Sequence, residues 1–374
     1  MRILFLHSSS DLYGASKIGL QSVDVLQKNG HHCIVVLSAE GPLAEALRAR
    51  NIPVHFFPLG IIRRQYFSIK GIMDRIQKWR QGTKALRQLI QQETIDMVYS
   101  NTAAVLIGGY VAKKNKIKHI WHIHEIIEKP RWLHAAIAWC MRNWSDQIIV
   151  VSKAVSEHWR DAGNKIERVY NGLPPMNTKD SENYRKQLNI PKEALVIGMA
   201  GRVHYWKGQD YFLDIATALH QLQPDLYFIL VGDAFPGYEY LEERIKIRIA
   251  HSSAKESVFY LGYCEEMQQF YSAIDLLVVP STQPDPLPTV VLEAMSAGKM
   301  VVATKQGGAQ EMIQENETGI FIPLNDPALA AAKIIRHLQR DQLREMGQKG
   351  KMRVEEHFSL AAFEKNLINV IDSV

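Results

Sequence analysis

Two short segments in the second half of the chain carry the residue types that hold a phosphorylated group. Gly201-Arg202 and Lys207-Gly208, separated by four residues, follow an apolar run and precede a helical pattern. Two fixed cations beside a helix amino terminus, with its unpaired N–H groups, form an arrangement that binds phosphate. The alternative is a pair of solvated cations beside an ordinary loop.

A pair of carboxylates lies further along the chain, after another apolar run. Asp285 and Glu293 are eight positions apart, which places the first on a loop and the second inside the helix that follows. Pro288 has no N–H group and suits the start of that helix, whose free N–H groups around Thr289 and Val290 predict a second phosphate contact. The alternative is a turn aspartate and a solvated helical glutamate.

The sequence lacks the motifs of several other enzyme classes. It has no GxGxxG fingerprint, no GxxxxGK[ST] loop, no GxSxG elbow and no two aspartates two positions apart that could carry a metal–diphosphate complex. His122 and His124 share one face of a predicted strand, but no third ligand stands at a metal-binding spacing. We therefore predict no metal site and no cofactor other than a co-substrate. His122 is interpreted as a core histidine, and Glu125 either supports His124 or begins a helix.

The composition is that of an enzyme-sized globular protein. The chain has 374 residues, of which 47% are apolar and 22% are charged, enough for two domains that each bury a core. No apolar run approaches the length of a membrane span, and the first residues do not form a signal peptide. The three cysteines lie far apart, without a metal-binding spacing. These features predict a cytoplasmic protein.

The charge is distributed unevenly. Residues 1–175 hold 24 Lys and Arg against 13 Asp and Glu, a net charge of +11, whereas residues 176–374 carry −6. A basic first half indicates that this half meets a polyanionic surface. The alternative is a chance distribution over two domains.

Short apolar runs alternate with helical patterns along the chain. The strands predicted in the first half are 3–7, 33–37, 54–57, 97–100, 119–122 and 147–151, and those in the second half are 195–200, 227–232, 258–261, 276–279 and 300–303. The helices predicted in the first half include 15–29, 42–50 and 153–161. Such alternation predicts parallel sheets covered by helices on both faces.

Two consecutive doubly wound domains are the predicted architecture. A turn-rich segment, 171–175, suits a linker, so the predicted domains are residues 1–175 and 176–358, followed by a terminal helix at 359–374 that could cross back to the first domain. Because ligands of such sheets lie at the carboxyl ends of the strands, a cleft between the two domains is the predicted site.

Taken together, these segments resemble the family 4 retaining glycosyltransferases, which use nucleotide sugars and have the two-domain GT-B fold. Gly201-Arg202 and Lys207-Gly208 are similar to the phosphate-clamping segment of that family. Asp285 and Glu293 are similar to its E-x7-E motif. The resemblance covers essentially the whole chain and includes the further segments 151–155, 171–172, 301–304 and 307–311. It implies an α/β chain of two facing doubly wound, Rossmann-like domains with an interdomain cleft.

The resemblance also implies roles for single residues. Arg202 and Lys207 would neutralise the donor diphosphate as it leaves, which is where fixed charge accelerates the reaction. Asp285 would bind hydroxyls of the transferred sugar, and Glu293 would hold the ribose hydroxyls. His124 would contact the donor sugar and the reacting centre.

Backbone groups complete the donor site that the resemblance implies. Gly14, in the first βα loop, would let the diphosphate or the acceptor approach the main chain because it has no side chain. Thr289 and Val290 would bind the donor at the start of their helix. Two departures from the family pattern leave the donor sugar open: the shorter Asp285 replaces a glutamate, and Pro288 stands where the family often has glycine.

The activity that the resemblance implies is transfer of a sugar from a nucleotide diphosphate donor to a glycan or a lipid-linked acceptor. The anomeric configuration would be kept, no metal would be required, and the leaving diphosphate would help to deprotonate the acceptor. The setting would be bacterial polysaccharide or glycoconjugate biosynthesis. The alternatives are a nucleotide-sugar-binding partner without transferase activity, and a GT-B-fold epimerase or phosphorylase.

Residues 61–90 form a basic amphipathic segment. Eight Lys and Arg stand against one acid, Asp74, and apolar residues are interleaved with them. Such a pattern is typical of a helix on an anionic membrane surface, so we predict peripheral association at the cytoplasmic face of the inner membrane. No nucleic-acid-binding motif accompanies this charge. The alternative is a solvated basic helix that packs its apolar face on the sheet.

Overall fold

The structure is a computed structural model that describes residues 1–61, 68–163, 165–176 and 182–374. The chain divides into two compact units. Unit 1 comprises Met1–Gly172 and Leu360–Val374, and unit 2 comprises Leu173–Ser359. The domain boundary predicted from the sequence lies three residues later, at 175–176. Each unit is an α/β body with its own parallel sheet.

The sheet of unit 1 has seven described strands. They are β1 (Arg2–His7), β2 (His32–Leu37), β3 (Val54–Phe56), β4 (Met97–Asn101), β5 (Lys118–Ile123), β6 (Gln147–Val150) and β7 (Ile166–Arg168). They pair in parallel in the order β3-β2-β1-β4-β5-β6-β7. The chain therefore reverses direction across the sheet between β1 and β4, and the carboxyl ends of these two strands lie side by side.

The sheet of unit 2 has six described strands with the same kind of order. They are β8 (Val196–Ala200), β9 (Tyr227–Val231), β10 (Val258–Tyr260), β11 (Leu276–Val279), β12 (Met300–Thr304) and β13 (Gly319–Ile322). The order β10-β9-β8-β11-β12-β13 is again entirely parallel. Here the reversal falls between β8 and β11.

Helices connect successive strands, except for the last three, which follow β13. They are α1 (Gly14–Lys28), α2 (Pro42–Arg48), α3 (Ile69–Gln92), α4 (Leu106–Asn115), α5 (Arg131–Trp144), α6 (Lys153–His158), α7 (Glu182–Gln187), α8 (Gln209–Leu222), α9 (Tyr240–Ala250), α10 (Met267–Ala273), α11 (Thr289–Ser296), α12 (Ala309–Met312), α13 (Pro327–Ile335), α14 (Arg340–His357) and α15 (Leu360–Asp372). A short 3-10 turn, Arg160–Ala162, follows α6.

Helices cover both faces of the unit 1 sheet. One core joins the strands to α1, α2 and α15, with Ile18, Leu43 and Phe363 almost fully buried. The other core joins them to α3 and α4 through Leu86 and Ile107. The strands can be nearly continuous apolar runs because each of their faces meets a helix layer. The terminal helix α15 thus belongs to the core of unit 1, although its residues follow unit 2 in the sequence.

The predicted α/β class with two parallel sheets is confirmed, and the bounds of the predicted strands differ by one or two residues at most. Two strands, β7 and β13, were not predicted: β7 is mostly exposed, and β13 begins with Gly319, a residue type that is depleted in strands. The helix predicted at 153–161 ends at His158 and continues as the 3-10 turn. Of the predicted basic segment 61–90, residues 62–67, which include Arg63 and Arg64, lie outside the described residues.

In the described parts of the chain, no helix combines the length and the apolar character that a membrane crossing needs.

Candidate functional site

The clamp-like segment of unit 2 lies where the chain reverses across the sheet. Gly201 directly follows β8, and Gly208 precedes α8 with a positive φ of 86°. A Cβ atom at Gly208 would lie 2.0 Å from the carbonyl oxygen of Pro280, the residue after β11. Only glycine permits both this φ and this approach. The loop between β8 and α8 is therefore held against the end of β11, at the edge where sheets of this kind bind ligands.

Lys207 and Asp285 form the central ion pair of this edge. The Lys207 Nζ atom lies 2.6 Å from Asp285 Oδ2, and the Asp285 residue is only 7% exposed. The same ammonium lies 4.3 Å from the centre of the Trp206 ring. Two predicted site residues that are far apart in the sequence are thus in direct contact.

A glycine pair fixes the Asp285 loop. The N–H group of Gly308 donates a 2.8 Å hydrogen bond to the Asp285 carbonyl oxygen. At Gly307, where φ is 58°, a Cβ atom would lie 2.2 Å from the same oxygen. The main chain of segment 307–311, which resembles a segment of the family, therefore packs against the main chain of Asp285.

Arg202 lies on the same loop as Lys207. Its guanidinium carbon is 3.8 Å from the centre of the Phe235 ring, a cation–π distance. The buried side chain of Gln209 donates a 3.0 Å hydrogen bond to the Arg202 carbonyl oxygen and so fixes the main chain of the loop. Gly201, Arg202 and Lys207 thus share one short, internally braced loop.

Glu293 projects from α11, the helix that follows the Asp285 loop. The hydroxyl of Tyr271 donates a 2.8 Å hydrogen bond to Glu293 Oε2. Burial raises the pKa of Tyr271 well above its usual value, so this hydroxyl keeps its proton. Pro288 is the N-cap residue of α11, and Thr289 and Val290 form its half-buried first turn. No acidic residue stands in that turn, so the positive end of the helix dipole is uncompensated by its own side chains.

Two further predicted site residues, Gly14 and His124, belong to unit 1. Gly14 is the first residue of α1, with a φ of 27°, and no atom lies within 4 Å of the position that a Cβ would take. The space beside its main chain is therefore open. His124 follows β5 directly and is only 9% exposed.

A buried chain of hydrogen bonds connects His124 to the carboxyl ends of β1 and β4. His124 Nε2 donates to Asn101 Oδ1 at 2.8 Å. His7 Nδ1 lies 2.9 Å from the Asn101 carbonyl oxygen and 3.0 Å from Asn101 Nδ2, and His7 Nε2 lies 3.0 Å from the Ser16 hydroxyl. Because the carbonyl oxygen can only accept, His7 donates to it from Nδ1. Ser16 in turn donates to the carboxylate of Asp11 at 2.9 Å. The chain of contacts therefore runs from His124 through Asn101, His7 and Ser16 to the Asp11 carboxylate.

Four members of this chain were not predicted from the sequence: Asp11, His7, Ser16 and Asn101. A signal was present, since His7 and Asn101 are the last residues of β1 and β4, the adjacent strands at the reversal of the sheet. His122 is fully buried and shares a 2.7 Å hydrogen bond with the Tyr99 hydroxyl, in agreement with its interpretation as a core histidine.

His124 is a neutral imidazole in this environment. Burial is the largest cause that lowers its pKa well below the usual range, followed by the neighbouring His122 and His7. Because its Nε2–H donates to Asn101, the Nδ1 atom is left as a hydrogen-bond acceptor. This arrangement can accept a hydrogen bond from a hydroxyl group but carries no charge of its own.

Glu125 lies in the loop after β5 and does not begin a helix, since α5 starts at Arg131. Its carboxylate accepts hydrogen bonds from the N–H groups of Ala103 at 3.0 Å and His124 at 3.1 Å. Burial nevertheless raises the pKa of this carboxyl to about 7. Glu125 therefore supports the main chain of His124, one of the two roles expected for it.

Among the described residues, no group of three or more His, Cys, Asp or Glu side chains stands close enough together to hold a metal ion.

Comparisons with known proteins agree on the class. Residues 14–176 match the family described as Glycosyltransferase Family 4. Residues 180–353 match the family described as Glycosyl transferases group 1. The chain belongs to the glycosyltransferases that combine these two domains, and the resemblance inferred from its sequence is confirmed.

Individual relatives extend this result. An uncharacterised glycosyltransferase of Methanocaldococcus jannaschii is 27% identical over 241 residues. The match covers 60% of this chain and 60% of the length of that relative. The lipopolysaccharide 1,2-N-acetylglucosaminetransferase of Salmonella typhimurium is 29% identical over 86% of this chain and 85% of that protein. The crystal structure of Anabaena HepE in complex with UDP and glucose has a TM-score of 0.85, 23% identity and full coverage of both chains. This likeness shows the two-domain GT-B fold.

Proposed function

We propose that this glycosyltransferase moves a sugar from a nucleotide diphosphate donor to a glycan or lipid-linked acceptor, with retention of the anomeric configuration and without an obligatory metal ion. The observation that carries the proposal is the Lys207–Asp285 pair beside Arg202 at the β8–β11 edge. An ammonium has three donors, and Asp285 uses one of them. The other two remain for diphosphate oxygens.

The leaving group of the proposed reaction is the donor diphosphate. When the bond between the sugar and the diphosphate breaks, negative charge grows on the diphosphate. Arg202 and Lys207 are held in place before the reaction, by the Phe235 contact and by Asp285, so their charge stabilises the transition state without a reorganisation cost. The first turn of α11, with Thr289 and Val290, would add N–H groups to the same diphosphate.

We assign the remaining residues to the sugar and ribose. Glu293, oriented by Tyr271, suits a vicinal diol such as that of ribose. Asp285 would contact hydroxyls of the transferred sugar with its second oxygen. On unit 1, Gly14 would admit the diphosphate or acceptor, and the Nδ1 atom of His124 would accept a hydrogen bond from a sugar hydroxyl.

Relatives support the kind of substrate. The solved HepE complex contains UDP and glucose, and the Salmonella relative is named for transfer of N-acetylglucosamine in lipopolysaccharide. We therefore propose a uridine nucleotide donor and a role in polysaccharide or glycoconjugate synthesis for this chain.

The test is thermal unfolding with UDP, GDP, ADP or CMP, each in EDTA, and then with the matching nucleotide sugars. A ligand of the folded state raises the melting temperature as its concentration passes its Kd. We expect a shift with UDP in EDTA and turnover of one UDP-sugar, with the product configuration read by NMR. A shift that needs a divalent ion contradicts metal independence, and binding without any transfer to glycan or lipid acceptors contradicts the transferase assignment.

We further propose that α3 contacts the cytoplasmic face of a membrane. Its first turns expose three apolar residues, Ile72, Met73 and Ile76, of which Met73 is 66% exposed, among several cations. Such a surface suits the interface of an anionic bilayer. Co-sedimentation with phosphatidylglycerol vesicles should fall in the I72S/M73S/I76S variant and remain in a variant with the same changes at Leu222, Leu324 and Leu329, three exposed leucines of unit 2. Equal binding of the two variants contradicts the proposal.

A further inference from the structure

A groove between α3 and α4 of unit 1 gathers cations that the fold itself does not use. Its volume is about 410 Å³. The residues that line it include Trp79, Arg80, Thr83, Lys84, Arg87 and Tyr110. None of them belongs to the donor-binding residues proposed above, and all of them lie within unit 1.

The three cations follow one flank of α3. Arg80, Lys84 and Arg87 stand at positions i, i+4 and i+7, while Leu86 and Leu89 turn the other flank into the core. Within the described part of the chain, these three side chains form no ion pair or hydrogen bond. Like charges at this spacing repel one another, so the fold gains nothing from them.

The preceding turns of the same helix provide a contrast. Asp74 accepts from Arg75 and lies 3.1 Å from Lys78 Nζ, so the cations there have a carboxylate partner. No acidic side chain lines the groove. The helix therefore pairs two of its cations with Asp74 near one end, whereas the three cations beside the groove have no carboxylate partner within the residues that the structure describes.

A buried hydroxyl also lacks a partner in the groove. Thr83 Oγ1 is inaccessible to solvent and has no hydrogen-bond partner among the described residues. A buried hydroxyl without a partner is unfavourable, and each such group calls for an explanation. Because this atom is closed to solvent, a ligand oxygen would become its acceptor only after the Thr83 side chain turns toward the groove.

Aromatic rings form the wall of the groove. The Trp79 and Tyr110 ring centroids are 5.7 Å apart, and Tyr110 is in turn 5.8 Å from Trp144 of α5. A fourth cation, Lys114 Nζ, lies 5.9 Å from the Tyr110 ring centre. Rings of this kind pack against apolar or sugar surfaces, whereas the cations select an anion.

We propose that the α3–α4 groove binds a phosphate-bearing group, of monoester or diphosphate type, whose apolar or sugar portion packs on Trp79 and Tyr110. Two guanidinium groups and an ammonium match several phosphate oxygens, because the arginine fork donates two parallel hydrogen bonds. The size of the groove suits such a group with one adjoining ring or chain segment. The ligand belongs either to a lipid headgroup or to a soluble phosphate, and the chemistry at the groove is the same.

Binding is measured with inorganic pyrophosphate and, separately, with phosphatidylcholine vesicles that contain phosphatidic acid. Each titration is made with and without saturating UDP, so that a pyrophosphate site at Arg202 and Lys207 is recognised by competition. The groove variant is R80Q/K84Q/R87Q. Its matched control is K28Q/R48Q/R50Q, which removes the same charge from α1 and the α2 region, on the other face of the sheet.

We expect the groove variant to bind at least tenfold more weakly to one of the two probes, and the control variant to stay within about twofold. Thr83→Val keeps the shape of the side chain and should weaken binding about threefold without lowering the melting temperature. Pyrophosphate binding identifies a soluble ligand, and binding to vesicles alone identifies a lipid headgroup. Complete competition by UDP, equal losses in the groove and control variants, or no binding of either probe would overturn the proposal. The comparison of the groove variant with the control variant does not depend on whether the donor site binds UDP.

Discussion

The two regions that carry candidate site residues hold their side chains by different physical means. In unit 2, a charged pair, Lys207 and Asp285, lies between loops fixed by glycine contacts. In unit 1, His124 is neutral and is oriented by a buried chain of hydrogen bonds through Asn101. Fixed charge suits a diphosphate, whereas a neutral oriented acceptor suits a hydroxyl group. The comparison teaches that the two units present different chemistry, fixed positive charge in unit 2 and a neutral, oriented acceptor in unit 1.

The largest effect is expected at the Lys207–Asp285 pair of unit 2. Lys207→Ala should lower turnover by about a hundredfold, since it removes one preorganised cation from the leaving diphosphate. The measurement is kcat with the best nucleotide sugar. Lys305→Ala is the control, because Lys305 is an exposed cation of the same unit, paired with Glu315. Activity within a few-fold of the parent protein would refute the role of Lys207.

The same change leaves Asp285 buried without its partner, which could reduce stability as well as activity. The double variant K207M/D285N separates the two effects, because it removes both charges at once. We expect it to regain the melting temperature without regaining turnover. Recovery of both quantities would show that Lys207 acts through folding alone.

Changes around His124 in unit 1 should lower turnover less strongly. Asn101→Leu removes the amide that orients His124 and should reduce kcat about tenfold while the affinity for the nucleoside diphosphate stays the same. Tyr99→Phe is a matched control, because it removes a buried hydrogen bond to His122 that lies outside this chain. A loss of kcat as large in the control as in the Asn101 variant would mean that general packing, and not orientation, is responsible.

A smaller effect is expected at the ribose position. Tyr271→Phe frees the Glu293 carboxylate from its orienting hydroxyl and should weaken UDP binding about threefold to tenfold, while Glu293→Ala should weaken it further. Calorimetric titration with UDP gives both values. Unchanged affinity in the Glu293 variant would disprove the ribose assignment.

The smallest effect concerns stability at Glu125. Its pKa is about 7 when folded, above the usual 4.5, so between these values only the unfolded chain loses the proton. The contribution of this group to the free energy of unfolding is therefore complete below pH 4.5, falls as the pH rises to 7 and is constant above 7. Because the side chain is partly exposed, we expect a fall of about 1 kcal/mol rather than the full value of the shift.

Glu125→Gln should remove that fall, which is read as the difference between the two proteins in denaturant titrations at pH 5 and pH 8. The difference cancels the opposite contribution of the buried histidines, such as His119, whose pKa is lowered by burial to about 3. Parallel pH profiles of the two proteins would show that Glu125 is an ordinary exposed carboxylate.

Much of the fold could be predicted because its elements are long or strongly apolar. The strand at 276–279 and the helix at 15–29 coincide closely with β11 and α1, since buried parallel strands and amphipathic helices leave clear patterns. β13 was not predicted because it begins with Gly319, a residue type depleted in strands, and only three apolar residues follow it. β7 is mostly exposed and only three residues long, so no pattern marked it.

The sequence by itself determined the residue types of the candidate site: the cations at 202 and 207, the carboxylates at 285 and 293, and the glycines that suit close backbone contacts. These are local properties, because a motif is defined by spacing along the chain. Tertiary structure alone decided that Lys207 contacts Asp285, 78 residues away, and that Asn101 connects His7 to His124. Which residues meet at a sheet edge depends on strand order, and strand order results from the packing of the whole sheet, not from any single segment.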